Sequence, residues 1–437
     1  MAAPCLRLLV VASQLLVLGC GGSHGTPADT GAGGGAAAGM NGGGGDKTGA
    51  GGTGADGAAD GGNVIGGASG GGASGGATGA GGSTGAGGNV RDAGASADAR
   101  DAATTPVVDP IATLEILRRV ADYELTRFGT ATNANWVRAV FYTGLLALYR
   151  TTNDAKYLTA TQTWGTTNAW RLGTDSSNSP RWADNQACVQ TYADLYLMNP
   201  VAANDVMVAT GRAAFDQMVA APMAGRVEWW WEDALFMAPP ALARIAEATP
   251  TKAAGYLALL HSMWWDTKAF LYSDANQLMW RDSTFLNTGS FWSRGNGWVV
   301  AGLARLLDAL PAADPRRADY ENLLRQMMAK LITLQAADGF WRSDLLNPNA
   351  FPTPESSGTA FFCFALAWGM NHGVLDRATY LDSARRAWSA LGTAVSTAGR
   401  LGWVQAVGAK PGPSTMADTN DYATGAFLLA GTELLKL

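Results

Sequence analysis

The chain has 437 residues and a formal net charge of −5. That balance offers no extended basic surface, so it speaks against nucleic-acid binding by phosphate neutralisation, while an acidic sugar held by one or two arginines stays compatible. Composition divides the chain in two: all 16 Trp lie at or beyond Trp136, whereas Gly21 to Ala103 is Gly, Ala, Ser, Thr and Asp with hardly an aromatic or branched residue.

Residues 1–19 carry Arg7, an apolar run from Leu8 to Leu18, and then Gly19-Cys20, the layout of a secretory signal peptide. The run is too short to cross a bilayer comfortably. Val17-Leu18-Gly19-Cys20 resembles a bacterial lipobox, in which the cysteine becomes the lipidated first residue of the mature protein. Lipidation at Cys20 is therefore expected, with Gly21 after it leaning towards the outer membrane, and the membrane enters only through that anchor. Residues 20–105 then read as a linker, because so few apolar groups cannot offset the entropy of ordering them. A random coil of about 85 residues spans on the order of 50 Å, so its role is reach. Beyond it, 107–437 has the size and the Trp, Leu and Ala content of one large single-core enzyme.

After Pro110 the apolar spacing is helical almost throughout, as in Ile111-Ala-Thr-Leu-Glu-Ile-Leu and Tyr320-Glu-Asn-Leu-Leu-Arg-Gln-Met. Six segments recur, each opening on a polar or aromatic residue and continuing as an apolar helix rich in small residues. They start near Trp136, Asp184, Asp233, Arg294, Glu355 and Asp421. Helices apolar on all sides are buried, whereas those between them, such as Arg316 to Leu334, carry charge on one side and suit an outer layer. Six buried and six amphipathic helices predict an all-α fold, a closed (α/α)6 barrel of six hairpins, over an open superhelix of helical pairs. In such a ring the inner helices start at one end, so Asp184, Asp233, Arg294, Glu355 and Asp421 converge on one mouth.

The densest chemistry lies in Val227-Glu-Trp-Trp-Trp-Glu-Asp-Ala-Leu-Phe-Met237. Indole faces suit the C–H face of a pyranose and lower the dielectric around a neighbouring carboxyl, so Trp230 and Trp231 are candidate sugar contacts. A carboxyl placed there, facing a second one, binds its proton more tightly, which is how a general acid stays loaded near neutral pH. Glu232 and Asp233 diverge by about 100° on a helix, so only one can face the mouth. The alternative is that both merely cap a structural helix. Asp184, in Arg181-Trp-Ala-Asp, is the candidate second carboxylate, against a plain N-cap role. Phe291-Trp-Ser-Arg-Gly-Asn-Gly-Trp298 sets Arg294 between aromatics, where its fork would match a uronate carboxylate and Trp292 would stack on the sugar; a buried ion pair of Arg294 with Glu355 is the competing role. Cys188 and Cys363 read as buried thiols rather than a bridge or a catalytic pair. His24, His261 and His372 stand alone, so no metal site is expected.

WADNQACVQTYADLY, WWEDALFM, FWSRGNGWVVAGLARLL and the run from Gln335-Ala-Ala-Asp-Gly-Phe-Trp341 to Glu355-Ser-Ser-Gly-Thr-Ala together resemble the unsaturated rhamnogalacturonyl hydrolases, related to the unsaturated glucuronyl hydrolases among the six-hairpin glycosidases. The resemblance covers nearly the whole of 107–437. It implies an (α/α)6 barrel and an exo-acting hydrolase that takes the 4,5-unsaturated uronyl residue left by polysaccharide lyases, here on a galacturonyl-rhamnose unit. The enzyme would protonate the double bond at C4 while water adds at C5, and the hemiketal would collapse to release the next sugar. Asp233 falls on the proton donor and water-activating position, Asp184 on its partner, and Trp231, Trp292 and Arg294 on substrate contacts, with no metal or organic cofactor. Two departures bear on substrate: Leu278-Met-Trp-Arg-Asp282 stands where a histidine contact is usual, making Arg281 its substitute, and Pro222-Met-Ala-Gly stands where a lysine is expected. Hydrolysis of a saturated glycoside on the same scaffold, or carbohydrate binding without catalysis, are the competing functions.

Overall fold

The computed structural model describes residues 107–129, 132–175 and 177–437. The expected signal peptide, Cys20 and the linker lie outside them. The described chain runs through α1 (Pro110–Phe128), α2 (Trp136–Thr152), α3 (Ala155–Thr167), α4 (Ala183–Met198), α5 (Val206–Ala220), the single turn α6 (Gly225–Glu228), α7 (Ala234–Met237), α8 (Pro239–Ala248), α9 (Ala253–Leu271), the hairpin β1 (Tyr272–Ser273) and β2 (Leu278–Met279), α10 (Ser293–Ala309), α11 (Arg317–Ile332), α12 (Ser356–Asn371), α13 (Arg377–Thr393) and α14 (Asp421–Leu434).

The inner helices are α2, α4, the α7–α8 pair, α10, α12 and α14, buried on most of their residues. Each packs on the next, and α14 returns to pack on α2, so the ring is closed. Outer helices α1, α3, α5, α9, α11 and α13 bury one stripe each and lean on that ring. This is the expected (α/α)6 barrel. Its small residues are what let the inner helices touch: a Cβ on Gly425 would stand 2.2 Å from the Val140 carbonyl oxygen, and one on Gly302 would stand 2.4 Å from that of Leu235.

The third inner helix differs from the continuous segment expected. Pro239-Pro240 cannot donate backbone hydrogen bonds and their rings crowd the preceding turn, so the helix breaks after Met237 and restarts with Pro239 at its first position. Gln190 Nε2 donates to the freed Phe236 carbonyl at 2.7 Å. The break leaves Asp233 at the head of a single turn rather than a long helix. Cys188 and Cys363 are both free and buried, and burial pushes the Cys188 thiol up to about 12.

Candidate active site

Asp184 lies in the first turn of α4, Asp233 caps α7, Arg294 is second in α10, Glu355 caps α12 and Asp421 opens α14. Alternation of inner and outer helices sets all five at one end of the ring. Three of them are committed to structure. The Glu355 carboxylate accepts from Ser357 N at 3.0 Å and Gly358 N at 2.7 Å, satisfying the first turn of α12. Asp421 is paired with Arg127 and, at 2.7 Å, with Arg138, which ties α14 to α1 and α2.

Arg294 departs most from expectation. Its guanidinium donates to the carbonyls of Gln405 at 2.7 Å and Ala406 at 2.9 Å and to the Tyr422 hydroxyl at 2.7 Å, and the residue is 1% exposed. It lies 4.3 Å over the Trp292 ring, whose Nε1 donates to Gln405 Oε1 at 2.8 Å. Arg294 is therefore a clamp on the loop between α13 and α14, and no ion pair with Glu355 forms because that carboxylate is spent on its cap. Trp292, 1% exposed with one face covered by Arg294, does not present a stacking surface to the mouth.

The cation beside the acids is Arg281. Asn296 fixes its strand by donating to the Met279 carbonyl at 3.0 Å and accepting the Met279 N–H at 2.9 Å. Glu232 N donates to the Arg281 carbonyl at 2.9 Å. The guanidinium gives Nη1 to Asp282 at 2.6 Å, stands with Nε 3.6 Å from Asp233 Oδ2, and has no hydrogen-bond acceptor at Nε. It also lies 5.4 Å over the Trp230 ring.

Two segments, 182–184 and 229–233, supply the aromatic wall and the acids, and their electrostatics follow from burial. Burial pushes Asp184 up to about 7, reinforced by the charges of Asp233 and Asp175. Burial likewise raises Asp233, against the pull of the Arg281 and Arg294 guanidiniums. The Asp233 charge thus adds to burial in disfavouring ionisation of Asp184. Trp231 stacks on Trp182 at 4.7 Å and lies 4.8 Å from Trp230. Trp182 and Trp230 are half-buried, whereas Trp231 is 3% exposed and Trp229 turns fully into the core. Of the Glu-Asp pair, Asp233 faces the mouth and Glu232 turns inward against Gly295. Among the described residues no group of three or more His, Cys, Asp or Glu could hold a metal ion.

Residues 112–437 match the model of Glycosyl Hydrolase Family 88. The chain belongs to that family. This family 88 glycoside hydrolase is 35% identical over 327 residues, 69% of its own length and 85% of the relative's, to a Formosa agariphila protein named unsaturated 3S-rhamnoglycuronyl hydrolase. It is similar to a solved family 88 structure from Bacteroides vulgatus with a TM-score of 0.69 and 29% identity, over 75% of this chain and 99% of that one. A solved structure described as a polysaccharide lyase gives the same TM-score of 0.69 at 31% identity, over 75% of this chain and 97% of the other.

Gln405 and Tyr422, which hold Arg294, were not legible as site residues, nor was Trp182 as a wall of the aromatic group. The signal that could have found the first two is the Gly- and Pro-rich stretch before α14, too long for a mere connection in a hairpin ring.

Proposed function

We propose that this glycoside hydrolase removes a 4,5-unsaturated uronyl residue from the non-reducing end of lyase-generated oligosaccharides, by hydration of the double bond. The observation that carries the reading is the juxtaposition of Asp233 and Arg281: a carboxyl made proton-retentive by burial, beside a guanidinium whose Nε has no hydrogen-bond acceptor. Asp233 gives its proton to C4; the carboxylate so formed takes a proton from the water whose oxygen bonds to C5. Acid and base are thus regenerated in one cycle, and the hemiketal opens to release the next sugar. Asp184, whose ionisation burial and the Asp233 charge disfavour, supports the water. Trp230 and Trp182 offer the faces on which the leaving sugar packs.

The leaving sugar is rhamnose, in the galacturonyl-linked form of rhamnogalacturonan. A second reading, favoured by the name of the Formosa agariphila relative, is a rhamnose carrying a 3-sulfate next to an unsaturated glycuronyl residue. Incubation with both unsaturated disaccharides decides between them: the preferred one loses its ultraviolet absorbance with at least tenfold higher kcat/KM. We further infer from Val17-Leu18-Gly19-Cys20 that the enzyme is an exported lipoprotein. Expression of Cys20→Ala should release it from the membrane fraction.

A further inference from the structure

Glu232 takes no part in the chemistry above, yet its placement is unusual. It is 0% exposed, and neither carboxyl oxygen has a hydrogen-bond partner among the described residues. A buried acid left in this way costs free energy, so its position calls for a cause.

The carboxyl lies against the backbone of Gly295, where an added Cβ would stand 1.6 Å from Oε1. Only glycine leaves that slot open. The residues flanking Gly295 are both anchors: Arg294 clamps the loop at Gln405 and Asn296 holds Met279. The Glu232 backbone N–H fastens Arg281 from the other side, at 2.9 Å, and its chain neighbour is Asp233. Glu232 thus wedges the segment bearing Asp233 against the start of α10 while its backbone N–H ties down the segment bearing Arg281.

We propose that Glu232 is a positioning residue whose uncharged carboxyl, seated in the Gly295 slot, fixes Asp233 and Arg281 relative to one another, and whose ionisation releases that arrangement. The charged groups acting on it are Asp233 on its own segment and Arg281 and Asp282 after β2. Burial and then the Asp233 charge hold the proton on Glu232, against the pull of Arg281 and with help from Asp282. Once that proton is lost, the carboxylate competes with Asp233 and with the substrate for Arg281. An amide fills the same slot and has no proton to lose.

The inference rests on Asp233 as the proton donor, and four variants of the full chain separate the two. Glu232→Gln should retain activity at neutral pH and keep it further into alkaline pH than wild type, with a shallower limb. Glu232→Ala, which empties the slot, should lose kcat on the order of 10- to 100-fold, as small misplacements of catalytic groups do. Gly295→Ala, which drives the carboxyl out, should show a similar loss and no added loss when combined with Glu232→Ala. A Glu232→Gln profile superimposed on wild type at every pH, or a Gly295→Ala enzyme with wild-type kcat, overturns the inference. If Glu232→Ala fails to fold, those two results still decide it. Asp233→Asn tests the underlying reading separately: full activity there removes the acid itself, whereas inactivity together with a wild-type Glu232→Gln profile sinks only the role of Glu232.

Discussion

Arg281 holds Nε 3.6 Å from Asp233 Oδ2 while giving Nη1 to Asp282 at 2.6 Å. The guanidinium therefore compensates Asp233, and a substrate carboxylate that docks on it takes part of that compensation away. Asp233 then binds its proton more tightly at the moment it must deliver it in a low-dielectric pocket. Replacing Arg281 with Met should raise KM for an unsaturated disaccharide by roughly 10- to 100-fold, the worth of a charge-assisted hydrogen bond. Steady-state kinetics with the folded variant check this. Arg294→Met should behave differently, loosening the loop before α14 and lowering the melting temperature along with kcat.

The raised proton affinities of Asp184 and Asp233 fix the sign of two pH effects. Activity needs the proton that burial holds on Asp233, so kcat/KM should fall as pH rises and that proton is lost. For stability, a folded-state pKa above the unfolded one contributes fully below the unfolded value and is lost as pH rises through the folded one. Thermal stability should therefore decline from mildly acidic to neutral pH, and Asp184→Asn should flatten that decline while reducing activity. Melting curves across that pH range give the check.

The barrel was legible in the sequence because its cause is periodic. Segments of Gly, Ala, Thr and Cys apolar on every side could only be inner helices, and their starts near Trp136, Asp184 and Asp421 fall within a residue of those observed. The acids were legible because helix starts and tryptophans mark them. What could not be read was how each polar residue is spent. Arg294 looked like a ligand for a carboxylate, but its donors go to carbonyls of a loop more than 100 residues away in sequence. Such long-range backbone partners leave no local pattern. The break at Pro239 is masked in the sequence because the apolar spacing continues across it.

Closure of the ring depends on glycine where α2 meets α14. A Cβ on Gly425 would lie 2.2 Å from the Val140 carbonyl oxygen and 2.8 Å from Phe141 Cα, both rigid backbone atoms. Gly425→Ala should destabilise the protein by about 1–3 kcal/mol or more, as overpacking does, seen as a lower midpoint in denaturant.

At the other end of the inner helices Asp194 is shared by Arg244 and Arg305, each at 2.8 Å. Burial alone would raise its pKa, but Arg244, Arg305 and Arg150 overcome that and hold the carboxyl well below the usual range. This contribution is present above the unfolded pKa and lost only in strong acid. Asp194→Ala leaves two buried guanidiniums without their counter-charge and should cost about 3–5 kcal/mol at neutral pH, measured by equilibrium unfolding.

The most direct test follows the ultraviolet absorbance of an unsaturated uronyl-rhamnose disaccharide with wild-type enzyme and with Asp233→Asn. Wild type should abolish the absorbance and release free rhamnose in step with it, and the variant should be slower by roughly 10²- to 10⁴-fold while keeping its fold. Absorbance that holds steady or rises with wild type, as a lyase would make it rise, or an Asp233→Asn enzyme within a few-fold of wild type, would contradict the hydration chemistry centred on Asp233.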